Sequence, residues 1–270
     1  MKIDKINILG VNLDNIGTEE ALRKIEDFCN LEKQHYSVTP NPEILLAAQK
    51  DIVFKNILNN ADLKIIDGAG LVWAAYVCKN LSKVKILNIF IILFRTLKFI
   101  FYKLFKFKFL TFANRITGVD FMKEICKRIP RKVFLLGAID GVAEEAIKKM
   151  QNLNYKCEFV GCFSGDVSYQ TFPLIKKKIE ISKAEILFVA FGAPKQELWI
   201  AEHLHELKNI KVAMGVGGSF DYIAGVVKRA PNWMRKFGLE WLYRLVKQPW
   251  RIRRIFNAVV RFPWVVIRNS

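Results

Sequence analysis

Four short apolar runs, near residues 132–136, 157–162, 185–190 and 211–216, recur along the second half of the chain. Each is followed by a helical pattern or a glycine-rich turn. Runs this short match strands, and their spacing leaves room for a helix between them. Parallel strands need such crossovers, so the pattern predicts βαβ units and a mostly parallel α/β sheet. The first third keeps the same rhythm. Residues 6–11 read as a strand. Thr18-Glu19-Glu20 opens a helix, with Thr18 as N-cap and Ala21, Leu22, Ile25 and Phe28 at helical spacing. Residues 36–39 are a short strand stopped by Pro40 and Pro42, and a helix follows from about Glu43. Residues 63–66 are a strand ending at Asp67-Gly68. In such sheets ligands sit outside the carboxyl ends of the strands, so functional residues are sought there.

Four clusters lie at such ends. Thr39-Pro40-Asn41-Pro42-Glu43 holds small polar side chains on a backbone fixed by two prolines. It reads as the rim of a site or as a plain turn in which Asn41 caps the next helix. Asp67-Gly68-Ala69-Gly70 puts a carboxylate where a ligand would lie. Asp67 is either a general base for a hydroxyl or the N-cap of a helix beginning near Leu71. Gly137 to Gly141, with Asp140, forms a strand–turn–helix whose backbone N–H groups suit a diphosphate, although its glycine spacing is not that of the dinucleotide fingerprint. The fourth cluster is a pair of strand ends. One runs through Gly192, Lys195, Gln196 and Glu197, the other through Gly217, Gly218 and Asp221. Both suit phosphate or sugar; tight turns and a solvated helix start would look the same.

The net charge of +18 is concentrated in two places. Residues 79–115 hold nine Lys or Arg and no acid; residues 228–270 hold eleven and one acid, Glu240. The remainder is close to neutral, so a phosphate-rich partner surface is implied. Residues 80–112 also interrupt the strand–helix alternation. On a helical wheel at about 100° per residue, Lys85, Asn88, Arg95, Thr96, Lys98, Tyr102, Lys103 and Lys106 gather on one side. Most Ile, Leu and Phe fall on the other. The longest uncharged run, 86–94, is far short of the roughly 20 apolar residues of a membrane span. A basic face opposite an apolar one is the pattern of a helix lying in the membrane interface. The alternative is an amphipathic helix packed on the domain or on a partner subunit. In the tail, 231–270, Trp233, Trp241, Tyr243, Trp250 and Trp264 are interleaved with basic residues, which suits an anionic headgroup layer. Single-stranded nucleic acid would accept the same mixture. No nucleic-acid fold signature accompanies it, so the expected partner is an anionic membrane surface and no nucleic acid.

The N-terminal residues lack a charged-then-apolar export signal, which points to the cytoplasm. Five Cys form no Cys-x-x-Cys pair, and no Asp-x-Asp or His-x-x-x-His occurs, so no metal site is expected. A metal-free transfer would need protein cations to stabilise a leaving diphosphate, and Arg115, Lys195 and the basic tail can supply them.

Six stretches occur in an order that resembles the WecG/TagA/CpsF family of bacterial glycosyltransferases. They are Thr39-Pro40-Asn41-Pro42, Asp67-Gly68 with Val72-Trp73, Arg115 to Asp120, Phe191 to Trp199, Gly215 to Asp221, and Arg229-Ala230-Pro231 through Gly238 to Arg244. The resemblance covers about 6–78 and 114–255. It implies a Rossmann-like α/β domain over 1–230, helices on both faces of its sheet, and a basic, aromatic helical appendage over 231–270. The appendage would help complete the site at the cytoplasmic face of the membrane, with the protein attached peripherally. The implied reaction is an inverting, metal-independent transfer without a cofactor. A UDP-sugar donor, carrying N-acetylmannosamine or its uronate, would serve an undecaprenyl-diphosphate-linked (polyprenyl) sugar acceptor in surface-polysaccharide or teichoic acid linkage-unit synthesis. A related transferase using UDP-glucose, or a non-catalytic membrane-bound sugar-nucleotide-binding protein, are the alternatives. By position, Asp67 would be the general base, with Thr39 and Asn41 beside it and Gln196 on the sugar or acceptor. Arg115 and tail arginines, Arg229 and Arg244 among the matching residues, would face the diphosphates. Gly137, Asp140, Gly192, Lys195, Glu197, Gly217, Gly218 and Asp221 complete the expected substrate-binding set. Residues 80–112 depart from the family's pattern, in which the segment after the Asp67 helix passes quickly to the Arg-x-Thr-Gly motif. An insertion there would reshape the acceptor entrance. Homo-oligomerisation stays open.

Overall fold

A computed structural model describes residues 4–78, 85–104, 116–165, 168 and 170–269. The chain opens with β1 (Lys5–Ile8), β2 (Val11–Asp14), α1 (Thr18–Asn30) and β3 (His35–Val38). It continues through α2 (Pro42–Ala48), α3 (Ile52–Asn60), β4 (Leu63–Lys64), α4 (Ala69–Val77), α5 (Lys85–Leu104) and α6 (Gly118–Arg128). Next come β5 (Lys132–Gly137), α7 (Val142–Gln151), β6 (Glu158–Phe163), α8 (Phe172–Ser182), β7 (Ile186–Ala190), α9 (Lys195–His203), β8 (Val212–Gly215) and α10 (Ser219–Ala224). The tail carries α11 (Asn232–Phe237), α12 (Glu240–Lys247), α13 (Ile252–Phe256) and α14 (Phe262–Asn269). A π-helical turn, Asn257–Arg261, joins the last two.

Six strands form one sheet in the order β4-β3-β8-β7-β5-β6, and every pairing is parallel. Side chains alternate across it, as strand geometry requires. Val133 and Leu135 of β5 pack with Leu22, Phe121 and Ala146 of α1, α6 and α7. Phe134 and Leu136 pack with Ile175 and Ile200 of α8 and α9 on the other face. Central β7 is buried along its whole length, which explains an uninterrupted apolar run instead of an alternating one. Each fully buried side chain of this kind contributes about 1.5–3 kcal/mol. The step from β3 to β4 runs toward one edge and the step from β5 to β6 toward the other. The strand order therefore reverses in the middle of the sheet, the place where Rossmann-like folds open a crevice.

The predicted strands of the second half agree with β5 to β8 within a residue or so. Two readings of the first third need correction. Residues 6–11 are not one strand but part of an antiparallel hairpin, turning at Leu9 and Gly10, both at positive φ. Two successive positive-φ residues match the twist of a two-residue hairpin, but Leu is a rare choice there and hides the turn. Neighbouring asparagines take up its backbone groups: Gly10 N–H donates to Asn7 Oδ1 at 3.1 Å and Asn59 Nδ2 to the Gly10 carbonyl at 3.0 Å. Thr18 is the first helical residue of α1, and the N-cap is Gly17, with no side-chain cap.

Asn88, Arg95 and Thr96, on the side of α5 expected to carry its polar residues, pack on the body, while Lys98, at the margin of that side, is exposed. Asn88 is buried, Trp73 Nε1 donates to Thr96 Oγ1 at 3.0 Å, and Arg95 Nη1 donates to the Val77 carbonyl at 2.9 Å. Leu87, Phe90, Leu93, Phe94 and Leu97 point outward and are exposed. Lys85, Tyr102 and Lys103 have side chains, and Lys106 a position, outside the described residues. The tail is anchored through Phe262 and Val266 of α14, both buried in the cluster that holds α2, α4 and the hairpin. No described helix is long and apolar enough to cross a membrane.

Candidate active site

A cleft of about 820 Å³ lies over the carboxyl ends of the central strands. Thr39 follows β3, Asp67 follows β4, Ala138 and Ile139 follow β5, Phe191 and Gly192 follow β7, and Gly217 and Gly218 follow β8. Tail residues Glu240, Arg244, Arg251, Arg254, Asn257 and Arg261 complete its lining. Asn257 and Arg261 bound the π-helical turn, a local widening of the helix frequent at functional positions.

Asp67 is half-buried, and both of its readings can be examined. The N-cap of α4 is Gly68, at φ +95, and no side chain caps that helix. Asp67 is therefore not the cap. Its backbone N–H is tied to the Pro40 carbonyl at 2.9 Å, and its Oδ2 accepts from Gly118 N at 3.4 Å, at the start of α6. The carboxylate is thus carried away from its own helix and into the cleft. Asn41 does cap: its side chain accepts from Glu43 N and Ile44 N at 2.9 and 3.1 Å. It also lines the cleft, so the two readings of that cluster are not exclusive. Thr39 is 6% exposed, and its hydroxyl donates to the Gly215 carbonyl at 3.2 Å.

Gln196 lies on the cleft with its amide fixed at both ends. Gly217 N donates to its Oε1 at 2.9 Å, and its Nε2 donates to Glu197 Oε1 at 2.8 Å. A side chain at Gly215 would press within 2.6 Å of the Gln196 amide, so glycine is required there. Glu197 is wholly buried behind Gln196 and does not line the cleft. Burial pushes its carboxyl above the ordinary range, partly opposed by the Gln196 hydrogen bond.

The arginines divide into two groups. Arg229 holds Asp120 in a bidentate pair, with Nη2 to Oδ2 at 3.0 Å. Burial raises the Asp120 carboxyl, but hydrogen bonds from Arg229 and Thr117 outweigh it and lower the pKa to about 2. Arg244 pairs with Glu240 at 2.9 Å, Arg254 with Glu43 at 2.7 Å, and the Arg229 and Arg244 guanidinium groups both lie over the Tyr222 ring. Arg251 and Arg261 have no ion pair among the described residues. Burial, then the like charges of Arg254 and Arg244, push Arg251 below the usual arginine range. Asp221, also in the cleft, is raised by burial and lowered in part by Arg251.

Of the residues expected from the sequence, Thr39, Asn41, Asp67, Gly192, Lys195, Gln196, Gly217, Gly218, Asp221, Arg229 and Arg244 meet at this one cleft. Gly137 and Asp140 do not line it, although the adjoining Ala138 and Ile139 do; Gly137 is held against the Phe191 ring, and Asp140 is turned toward Gly165. Arg115 lies outside the described residues. Thr117, Tyr222, Arg251, Arg254 and Arg261 were not singled out individually. The one signal for the last three is their separation by three and seven residues, which puts them on one helix face. Among the described residues no cluster of three or more His, Cys, Asp or Glu could hold a metal ion.

The class defined so far is a Rossmann-like α/β protein with a cation-walled crevice at the carboxyl ends of a parallel sheet. The chain belongs to the glycosyl transferase WecG/TagA/CpsF family, whose model it matches over residues 6–98 and 100–270. Among its relatives, a protein of Staphylococcus aureus (strain MRSA252) is 32% identical over 257 residues, covering 93% of this chain and 88% of the relative. A protein of Bacillus subtilis (strain 168) is 31% identical over 235 residues, covering 86% and 78%. Both are named N-acetylglucosaminyldiphosphoundecaprenol N-acetyl-beta-D-mannosaminyltransferase.

Proposed function

We propose that this glycosyltransferase moves N-acetylmannosamine from a UDP-linked donor onto N-acetylglucosaminyl-diphospho-undecaprenol, with inversion and without a metal. The names of the relatives support the sugar and acceptor. The observation that carries the chemistry is Asp67: a carboxylate at a strand end that does not cap the helix after it, in the same cleft as Arg251 and Arg261, which have no ion pair among the described residues. In the proposed step Asp67 takes the proton of the acceptor hydroxyl. The oxygen forms a new bond to the anomeric carbon as the bond from that carbon to UDP breaks. The electron pair leaves with the diphosphate, whose added charge Arg251, Arg261 and Lys195 meet. Thr39, Asn41 and Gln196 orient the sugars, and the glycines of the strand ends admit the donor closely.

The acceptor's lipid places the reaction at a membrane. We assign residues 1–230 to the catalytic domain and 231–270 to an appendage that closes the cleft at the cytoplasmic face, as a peripheral protein. The deciding experiment incubates the protein with a panel of UDP-sugars and the lipid-linked acceptor, read by mass spectrometry, beside Asp67→Asn. Transfer of N-acetylmannosamine, undiminished by EDTA and lost in the variant while UDP still binds, is expected. Preference for UDP-glucose, parental turnover in the variant, or loss with EDTA would each overturn the corresponding part.

A further inference from the structure

The outward face of α5 has no counterpart within the described chain. At about 100° per residue, Leu87, Phe90, Leu93, Phe94 and Leu97 fall within an arc of about 120°. Phe90 and Phe94 are 65% and 68% exposed, while Asn88 on the opposite side is 2% exposed. A water-facing helix arranges these groups the other way round. Contiguous exposed apolar surface of this kind marks a docking face. Beside it lies a groove of about 500 Å³ walled by Tyr76, Phe90, Ile91 and Phe94, with Arg95 and Lys98 at its edge.

We infer that α5 is a membrane wedge, inserting this stripe into the interface of an anionic bilayer. The inference deepens the membrane-surface reading above by naming the face that enters the lipid. Charge selects the occupant. Residues 79–115 carry nine Lys or Arg and no acid, so a second copy docked stripe to stripe would oppose like charges. An anionic headgroup layer meets the same charges favourably. The packing is also continuous with the tail: α14 lies against α5 and α4, and Ile252, Phe256, Val260 and Trp264 form a second exposed apolar row four residues apart. Too few apolar residues are present for a span, and an interfacial helix needs none.

The test uses the full chain and vesicles of phosphatidylcholine with or without phosphatidylglycerol. The parent should float with the phosphatidylglycerol vesicles. Phe90→Ser/Phe94→Ser/Leu97→Ser should partition about tenfold or more weakly, with its melting temperature and UDP affinity unchanged. A nitroxide on Leu93→Cys should report a depth below the lipid phosphates. Parental flotation by the triple variant, or a label that stays in water on bound vesicles, would overturn the wedge. So would a shift from dimer to monomer in the variant with flotation unaltered. Flotation and depth need no turnover, so failure of the proposed reaction would leave this result standing.

Discussion

Glu197, wholly buried, accepts a hydrogen bond from the Gln196 amide at 2.8 Å, and Gln196 is the residue that reaches the cleft. The second carboxyl oxygen of Glu197 has no hydrogen-bond partner among the described residues, and burial favours its neutral form. The prediction is that Glu197 acts through Gln196, as a positioning residue. Glu197→Gln keeps an acceptor of the same shape and should retain turnover within a few-fold. Glu197→Leu removes it, leaves the amide unanchored, and should lower kcat by about 10²-fold, the scale expected for a small misplacement of a positioning group. The neutral variant also changes stability against pH. The raised carboxyl holds its proton more tightly in the folded chain, so its contribution is full below the ordinary value of 4.5 and is lost as pH rises through the raised one. Melting curves of Glu197→Gln should lack that decline; an unchanged profile would remove Glu197 from the titration.

Asp120 behaves in the opposite sense. Its pKa is lowered from 3.8 to about 2, with burial overcome by the bonds from Arg229 and Thr117. A depressed carboxyl contributes stability that is present above 3.8 and lost as pH falls toward about 2. Asp120 is half exposed, so solvent screening keeps the contribution modest. Arg229→Gln should lower the melting temperature at neutral pH and flatten the acid limb between these values. If Arg229 instead serves mainly to grip substrate, the variant will melt like the parent and lose UDP affinity.

Much of the sheet was legible because β5, β7 and β8 are buried on both faces and so stand out as apolar runs, while β6, at the sheet edge, is only partly buried. The hairpin was not, because Leu9 occupies a positive-φ position that sequence patterns reserve for Asn, Asp or Gly. The candidate site was legible for the same reason: strand ends in a parallel sheet converge by topology, Thr39, Asp67 and Gly217 follow β3, β4 and β8, and Gln196 opens α9 after β7. The inward turn of the α5 polar face was hidden, since periodicity fixes which residues share a side and says nothing of which side meets the body. The division of the arginines was hidden for a similar reason. Arg229 finds Asp120 across 109 positions and Arg254 finds Glu43 across 211, so sequence neighbours could not reveal which charges were already matched.

That division makes a prediction specific to Arg251. Its guanidinium is disfavoured by burial and by the charges of Arg254 and Arg244, offset only in part by Tyr222 and Glu43, and it has no ion pair among the described residues. Arg251→Gln should therefore leave the ligand-free fold as stable as the parent or raise its melting temperature, since the variant relieves like-charge crowding. The same variant should weaken UDP binding by roughly tenfold to a hundredfold, the range for one hydrogen bond to a charged group. Calorimetric titration with UDP, beside a thermal melt without it, separates the two effects. Stability and affinity moving in opposite directions is the signature of a cation held in strain for its ligand. Arg254→Gln supplies the contrast, because it strands Glu43 without removing a repelled charge of equal burial. A fall in both melting temperature and affinity for Arg251→Gln would mean that this arginine supports the fold, and the diphosphate would then have to be met by Arg261 and Lys195.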